Sequence, residues 1–233
     1  MELKEYPQRP IMIIGFPGFG LIGTISTEFL LEHLDFRKIG SIKLENDPCS
    51  IAIHKGHLID PIGIYYNERY NIVLIHGMIT PQGLEYRIAR EIQSVAKALN
   101  PYEVYVLEGV ASAKDSKTAK IYYHTTNPKK EEKLKEAKIK RLDEGIIIGV
   151  ASGILQEITY DTICLFAQAT SELPDSKASA KIIEALDKLL NLEVDPKPLL
   201  EQAKVFEKKL KGIMQQTSST KKAVDQKMMN YVG

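Results

Sequence analysis

The chain has 233 residues, 44% of them hydrophobic, which is enough to bury one sizeable core within the size range of a single domain. Its 31 Lys and Arg nearly match its 30 Asp and Glu, and the formal net charge of +1 excludes the strong field with which a protein attracts nucleic acid or an anionic membrane. The longest apolar stretches are too short to span a bilayer, and the acidic opening MELKEYPQRP does not resemble a signal peptide, so we expect a soluble, cytoplasmic protein.

The first elements surround a cluster of glycines in the stretch IMIIGFPGFGLIGTIS. The apolar run 11 to 15 predicts a buried strand, and apolar residues at helical spacing from 21 to 33 predict a helix. Between them, Gly18, Gly20 and Gly23 have the spacing G-x-G-x-x-G. This order is typical of dinucleotide-binding folds, in which the glycines bring a pyrophosphate close to the helix N-terminus.

Three features favour a structural turn over a dinucleotide site. Phe16, Pro17 and Phe19 crowd the approach to the glycines. A dinucleotide-binding fold needs a second unit of strand, helix and strand after the first helix, but the sequence has short strands there. A single G-x-G-x-x-G motif is also weak evidence by itself. We therefore expect the glycines to let the first helix pack closely on the sheet, with a ligand loop as the alternative.

Four short strand-like runs follow, separated by turn signals, at 38 to 44, 50 to 56, 57 to 67 and 70 to 77. Because consecutive strands leave no room for crossover helices, they must pair largely as antiparallel hairpins. Next, Thr80 followed by Pro81 predicts the start of a helix over 80 to 100. A strand at 103 to 110 completes a strand, helix and strand unit, for which a parallel crossover is expected.

The rest of the chain continues the α/β pattern and ends in an appendage. We predict strands at 120 to 126, 146 to 150 and 160 to 170, and helices at 128 to 142, 175 to 192 and 198 to 216. The run IIIGV predicts that the second of these strands is fully buried. The sequence thus predicts an α/β fold with a mixed sheet flanked by helices and antiparallel hairpins. Its parts are a core domain, 1 to 195, and a C-terminal helix with a flexible tail, 196 to 233.

The sequence lacks the common motifs in which His, Ser or Cys residues are spaced for catalysis or metal binding. The motifs H-E-x-x-H, G-x-S-x-G and C-x-x-C do not occur, so we expect no catalytic residue, metal or cofactor. Cys49 and Cys164 are expected to be buried free thiols, although one bridge between them stays open. One small-molecule pocket remains an alternative at the carboxyl edge of the parallel strands, where four loop residues would meet. These are Gly18, His76, Glu108 and Ser152.

Five blocks of sequence occur in order between about residues 14 and 210: GFPGFGLIGTISTEFLLEHL, IYYNERYNIVLIHGMITPQG, LEGVAS, GIIIGVASGIL and ELPDSKASAKIIEALDKLLNLEVD. Together they resemble the archaeal branch of the proteasome assembly chaperone family, which is related to the eukaryotic assembly chaperone number two. The resemblance implies a phosphorylase/hydrolase-like α/β core with protruding C-terminal helices. It also implies a non-enzymatic homo-oligomer that docks onto the α-subunit ring of the proteasome.

The resemblance also draws attention to the C-terminus. Proteasome-binding proteins commonly end in a hydrophobic residue, a tyrosine and one further residue, and the end of this chain is only similar to that motif. The candidate anchor residues are Met228, Met229, Tyr231 and Val232, with a frayed terminus as the alternative. Two other functions stay open: a nucleotide- or nucleoside-handling enzyme that uses Gly18, Gly20, Gly23 and His76, and a scaffold that assembles with a paralogue.

Overall fold

A nine-stranded mixed sheet with helices on both faces forms the core of the computed structural model, which describes residues 1–44, 52–54, 57–111, 120–169, 173–198 and 200–201. The strands of this sheet are β1 Glu2–Leu3, β2 Ile11–Gly15, β3 Arg37–Ser41, β6 Ile62–Asn67, β7 Ile72–Gly77, β8 Glu103–Ala111, β9 Ile121–Thr125, β10 Lys140–Arg141 and β11 Thr162–Ala169. A separate two-stranded hairpin consists of β4 Ala52–His54 and β5 His57–Ile59. The helices are α1 Ile22–His33, α2 Glu85–Leu99, α3 Glu131–Glu136, α4 Val150–Glu157 and α5 Ser176–Leu190.

The strands follow the order β1-β3-β6-β7-β2-β8-β11-β9-β10 across the sheet. The four central strands β7, β2, β8 and β11 are parallel. On one side, β1, β3, β6 and β7 pair as antiparallel neighbours, and on the other side β9 runs antiparallel to β11. The predicted mixed sheet with antiparallel hairpins is therefore confirmed. The crossover through α2 is also confirmed as parallel, because β7 and β8 lie in the same direction on either side of β2.

Alternation along the strands sends side chains to two hydrophobic layers. Ile13 of β2 packs in the layer formed with α1 and α5, whereas Met12 and Ile14 pack in the layer formed with α2 and α4. The central strands are apolar at successive positions because helices cover both faces, as is usual for parallel sheets. Asp175 caps α5 as the sequence suggests, since its carboxylate accepts a hydrogen bond from the N–H of Ala178, with an N···O distance of 2.9 Å.

Two predicted helices are shorter than the periodicity suggests. Helix α2 begins at Glu85 and not at Thr80, because Gly83 has a φ of 86° and interrupts the helical backbone. The helix predicted over 128 to 142 is a 3₁₀ turn, Pro128–Lys130, followed by α3. It ends because Lys138 has a left-handed φ of 61°, which brings Ile139 back beside Leu134 with a backbone N–H···O bond of 3.1 Å. Tertiary packing therefore overrides a run of good helix formers.

Two predicted strands also differ from the structure. The run 57 to 67 is divided at Asp60 and Pro61 into β5 and β6, which belong to different sheets. The fully buried strand predicted over 146 to 150 is wrong, because residues 146 to 149 form a loop and Val150 begins α4. Of the predicted helix over 198 to 216, residues 198, 200 and 201 are helical, and the remainder lies outside the described residues. The boundary between a core and an appendage at 195 stays a prediction.

Candidate functional site

The glycine turn between β2 and α1 is shaped by close contacts with the neighbouring strand β8. A Cβ atom on Gly23 would lie 2.5 Å from the carbonyl oxygen of Leu107 and 2.8 Å from that of Phe16. Gly20 has a left-handed φ of 68°, which a side chain rarely adopts. The turn therefore needs glycine so that the first turn of α1 can approach the backbone of β8.

The space in front of Gly18 is filled by the carboxyl group of Glu108. A Cβ atom on Gly18 would lie 2.0 Å from Oε1 of Glu108. The same carboxyl group accepts hydrogen bonds from the backbone N–H of Gly109, with an N···O distance of 2.8 Å, and from that of Phe19. An anionic ligand at a glycine turn would use such N–H groups. Here a side chain of the chain itself occupies them.

Glu108 lies in an environment that disfavours its charge. Only 4% of its surface is exposed, and burial raises its pKa to about 8, although the two backbone N–H donors act in the opposite direction. Its neighbour Cys164 is a buried free thiol. Burial, and in second place the nearby Glu108 charge, raises the pKa of Cys164, which keeps it protonated and unreactive.

His76 lies at the carboxyl end of β7 but faces α1, away from Glu108. Its Nδ1 is 2.8 Å from Oγ1 of Thr27, and its Nε2 is 3.1 Å from a carboxylate oxygen of Glu28. Among the described residues Nε2 has no hydrogen-bond partner, and only 1% of the residue is exposed. Because α1 covers the imidazole, His76 serves the packing of α1 on β7 and does not line an open pocket.

The four residues proposed for one pocket thus lie in different surroundings. Gly18 and Glu108 are in contact, whereas His76 packs against α1. Alternation places Glu108 on the opposite face from Leu107, toward the layer of α2 and α4 that contains Cys164. Ser152 is in the first turn of α4, where its hydroxyl donates to the carbonyl of Gly149 at 2.8 Å. Gly18 with Glu108 forms a filled turn, and the shared pocket is not formed.

The structure bears on two other sets of candidate residues. The tail residues Met228, Met229, Tyr231 and Val232 lie outside the described residues. Within the described ranges, no group of three or more His, Cys, Asp and Glu side chains is arranged to bind a metal ion. In the same ranges, no helix is long and apolar enough to cross a membrane.

The pattern of hydrophobic residues in the sequence did not predict several exposed aliphatic side chains. Ile146 is 88% exposed and Ile148 is 77% exposed, while Ile147 between them packs on the layer of α2 and α4. In the β4–β5 hairpin, Ile53 and Leu58 are paired across the strands, and both are exposed. Gly145 and Gly149, which flank the three isoleucines, could have indicated this loop from the sequence. Glycines at both ends allow an extended loop in which only one of the three side chains turns inward.

Comparisons with known proteins agree over most of the chain. The model of a family described as the PAC2 family matches residues 12–214. An uncharacterized protein of Methanocaldococcus jannaschii is 27% identical over 214 residues, which cover 90% of this chain and 87% of that protein. The crystal structure of Pyrococcus furiosus PbaA, an archaeal homolog of proteasome-assembly chaperone, superposes with a TM-score of 0.84 at 27% identity, covering 93% of this chain and 97% of PbaA. Pyrococcus furiosus PbaB, an archaeal proteasome activator, shares the fold with a TM-score of 0.73 at 21% identity, covering 91% of this chain and 97% of PbaB.

Proposed function

This chain belongs to the PAC2 family, and from that premise we propose that it is a non-enzymatic, proteasome-assembly chaperone-like protein. It acts in the cytoplasm as a homo-oligomer and binds proteasome α-subunits, or a paralogous chaperone. It needs neither a nucleic acid nor a membrane as a partner. The observation that carries this proposal is the similarity to PbaA, which extends over 97% of the PbaA chain with a TM-score of 0.84.

The glycine turn supports a function without catalysis. A dinucleotide or phosphate at Gly18 would have to displace the carboxyl group of Glu108, which already uses the N–H groups of Phe19 and Gly109. When ionised, that carboxyl group would also repel an anionic ligand. The most recognisable motif of the sequence is therefore occupied from within, which favours a structural role for it.

Binding of protein partners is assigned to the C-terminal segment. We place the contact with α-subunits in the helix and tail over 196 to 233, with Met228, Met229, Tyr231 and Val232 as an apolar anchor. Exposed Ile146 and Ile148 support a protein partner in a more general way, because side chains of this size gain free energy when another surface covers them.

The test is co-elution of the full chain with purified proteasome α-subunits in size-exclusion chromatography with light scattering. We expect a complex that is larger than either component, and a chain that alone has the mass of a closed oligomer. Deleting residues 217 to 233 should weaken the complex. The matched variants Tyr231→Ala and Asn230→Ala both keep the full length of the tail. Only Tyr231→Ala should weaken binding if the tyrosine side chain, and not the length of the tail, makes the contact.

Each result bears on a separate part of the proposal. Equal binding by the full and truncated chains would exclude the tail as the contact, and absence of binding by both would remove the proteasome as the partner. The enzyme alternative is checked by a thermal-shift panel of nucleotides and nucleosides. A ligand at 100 times its dissociation constant adds about 2.7 kcal/mol, and such a shift that disappears in Gly18→Ala would overturn the non-enzymatic assignment.

A further inference from the structure

The segment over 143 to 148, which joins β10 to α4, lies on the surface with its backbone unpaired. Among the described residues, none of the six makes a backbone hydrogen bond, and the nearest paired N–H groups on either side belong to Leu142 and Gly153. Five of the six residues are exposed, and only Ile147 is turned inward, onto the layer of α2 and α4. The segment therefore leaves a continuous row of backbone donors and acceptors open, like the edge strand of a sheet.

Two large apolar side chains project from this segment into solvent. Ile146 is 88% exposed and Ile148 is 77% exposed, more than any other large apolar side chain in the described part of the chain. Exposure alternates through Ile147, as it does along a strand, so the two isoleucines lie on the same side. A strand laid beside the segment would pair its backbone and bring side chains within about 5 Å of both isoleucines.

The sequence of the segment favours a second copy of this chain as that strand. The run GIIIG at 145 to 149 reads the same in both directions. In an antiparallel pair about a two-fold axis at Ile147, Ile146 of one copy therefore meets the partner's Ile148, and glycine meets glycine at both ends. A two-fold contact requires a surface that is complementary to itself, and this run has that property.

Charge complementarity also favours this arrangement. Glu144 is exposed and has no ion-pair partner among the described residues. Helix α4 begins at Val150 without a side-chain cap and without an acidic residue in its first turn. The N-terminus of a helix carries a partial positive charge, which a nearby carboxylate stabilises. The two-fold register places Glu144 opposite the partner's Val150, so each copy supplies the missing negative charge to the other.

We propose that residues 143 to 148 bind the same segment of a second copy of this chain as an antiparallel pair of strands. Backbone hydrogen bonds join the strands, Ile146 and Ile148 of the two copies cover each other, and Glu144 lies at the N-terminus of the partner's α4. The inference rests on the proposed homo-oligomer and names one contact face for it. This face is separate from the segment over 196 to 233, to which binding of α-subunits is assigned.

Sedimentation equilibrium of the full chain over a range of concentrations tests the contact. A two-fold contact doubles the number of chains in an assembly, so the double variant Ile146→Ser with Ile148→Ser should have half the mass of the wild type. Its affinity for a second copy should fall about tenfold or more, because apolar area on both copies is no longer covered. The matched variant Ile53→Ser with Leu58→Ser removes two exposed aliphatic side chains from the β4–β5 hairpin and should keep the wild-type mass.

Dilution separates the contact from folding. In the separated chain both isoleucines are in solvent, so at concentrations where the wild type has dissociated, the double serine variant should be as stable as the wild type. Hydrogen exchange of residues 143 to 148 should be slow in the assembled wild type and fast after dilution. Slow exchange at every concentration would show that the same chain covers the segment, and would overturn the proposal.

Cysteine cross-linking tests the register. When Ile146→Cys and Ile148→Cys chains with different tags are mixed and oxidised, a disulfide should join one to the other, because these positions face each other across the pair. Each variant alone should cross-link little, since equal positions lie a diagonal step apart, beyond the usual reach of a disulfide. The wild type, with Cys49 and Cys164, gives the background. Equal cross-linking in the mixture and in the separate variants would exclude the antiparallel register.

A carboxylate pair tests the charge complementarity. Glu144→Gln should weaken self-association about threefold or more and reduce its dependence on salt, because the two-fold axis repeats the lost interaction. Glu132→Gln, which removes an exposed carboxylate of α3, should leave self-association unchanged. Equal effects of the two changes would reduce the role of Glu144 to general charge and overturn its place in the contact.

Binding of α-subunits distinguishes this proposal from the chaperone function. The double serine variant should still co-elute with α-subunits, because its C-terminal segment is intact. Wild-type mass in that variant would overturn the contact while co-elution upholds the chaperone function. Loss of co-elution at unchanged mass would assign the isoleucines to the α-subunits, and would likewise overturn the contact between copies.

Discussion

Two segments of the molecule have the same plan and opposite surroundings. The first, GFPGFGLIG at 15 to 23, and the second, GIIIGVASG at 145 to 153, each begin with glycine and apolar residues and lead into a helix. The first is closed over by β8 and by Glu108, whose carboxyl group accepts a hydrogen bond from the N–H of Phe19. The second leaves Ile146 and Ile148 in solvent. The comparison teaches that a glycine and apolar pattern specifies a turn before a helix, whereas the rest of the fold decides what covers it.

The pH dependence of stability gives the largest expected difference between the two segments. Glu108 has a pKa of about 8 in the folded chain, against 4.5 as its ordinary value, so the folded state binds its proton more tightly. The stability it contributes is fully present below 4.5 and is lost as the pH rises toward about 8.

The variant Glu108→Gln should therefore lose this slope, because glutamine cannot ionise and still offers an acceptor oxygen to Gly109. Between pH 5 and pH 8 the unfolding free energy of the wild type should fall relative to the variant by up to about 4 kcal/mol. Urea denaturation at several pH values measures this difference. Parallel curves for the two proteins would show that the closed turn does not hold a neutral acid.

Backbone crowding gives the next effect. Gly23→Ala should lower the unfolding free energy by about 3 kcal/mol, because its Cβ would lie 2.5 Å from the carbonyl oxygen of Leu107, and two backbones would have to separate. The matched change Gly153→Ala, inside α4, should change the unfolding free energy by less than about 1 kcal/mol, because crowding against the Cβ of Ala89 at 3.1 Å opposes the better helix propensity of alanine. Denaturant melts that gave equal losses would remove the distinction between the two helix starts.

Exposed isoleucines give the smallest effect on folding. The double variant Ile146→Ser with Ile148→Ser should change the unfolding free energy by at most about 0.5 kcal/mol, as for surface substitutions in general. Ile147→Ser should cost about 1 kcal/mol or more, because this side chain packs on the layer of α2 and α4. A large loss in the double variant would mean that the open segment is covered in solution.

The sequence predicted the family and most of the sheet because several independent patterns agreed. Five sequence blocks in order carried the family resemblance, and the hairpins between 37 and 77 followed from strands too close together for crossover helices. The ends of helices and strands were harder to predict where contacts with distant parts of the chain determine them. Lys138 ends α3 although its neighbours are good helix formers, because Ile139 gains burial beside Leu134.

The side chains that surround the glycine turn could not be predicted from the sequence, for a different reason. The strand ends predicted that Gly18, His76 and Glu108 share an edge of the sheet, but alternation sends His76 and Glu108 to opposite faces. Which face each side chain takes depends on register between strands distant in sequence.

The position of β8 beside β2 also determines the order of events during synthesis. Ile11 pairs with Glu103, so one edge of β2 has no neighbour until the chain has grown through the whole of α2. At about 5 to 20 residues per second, the ribosome needs several seconds to supply it. Until β8 has been made, the apolar residues of β2 lack the partner that covers one edge of this strand in the folded chain. Pairing with β8 therefore completes the centre of the sheet and also removes an edge at which the unfinished chain could pair with another strand.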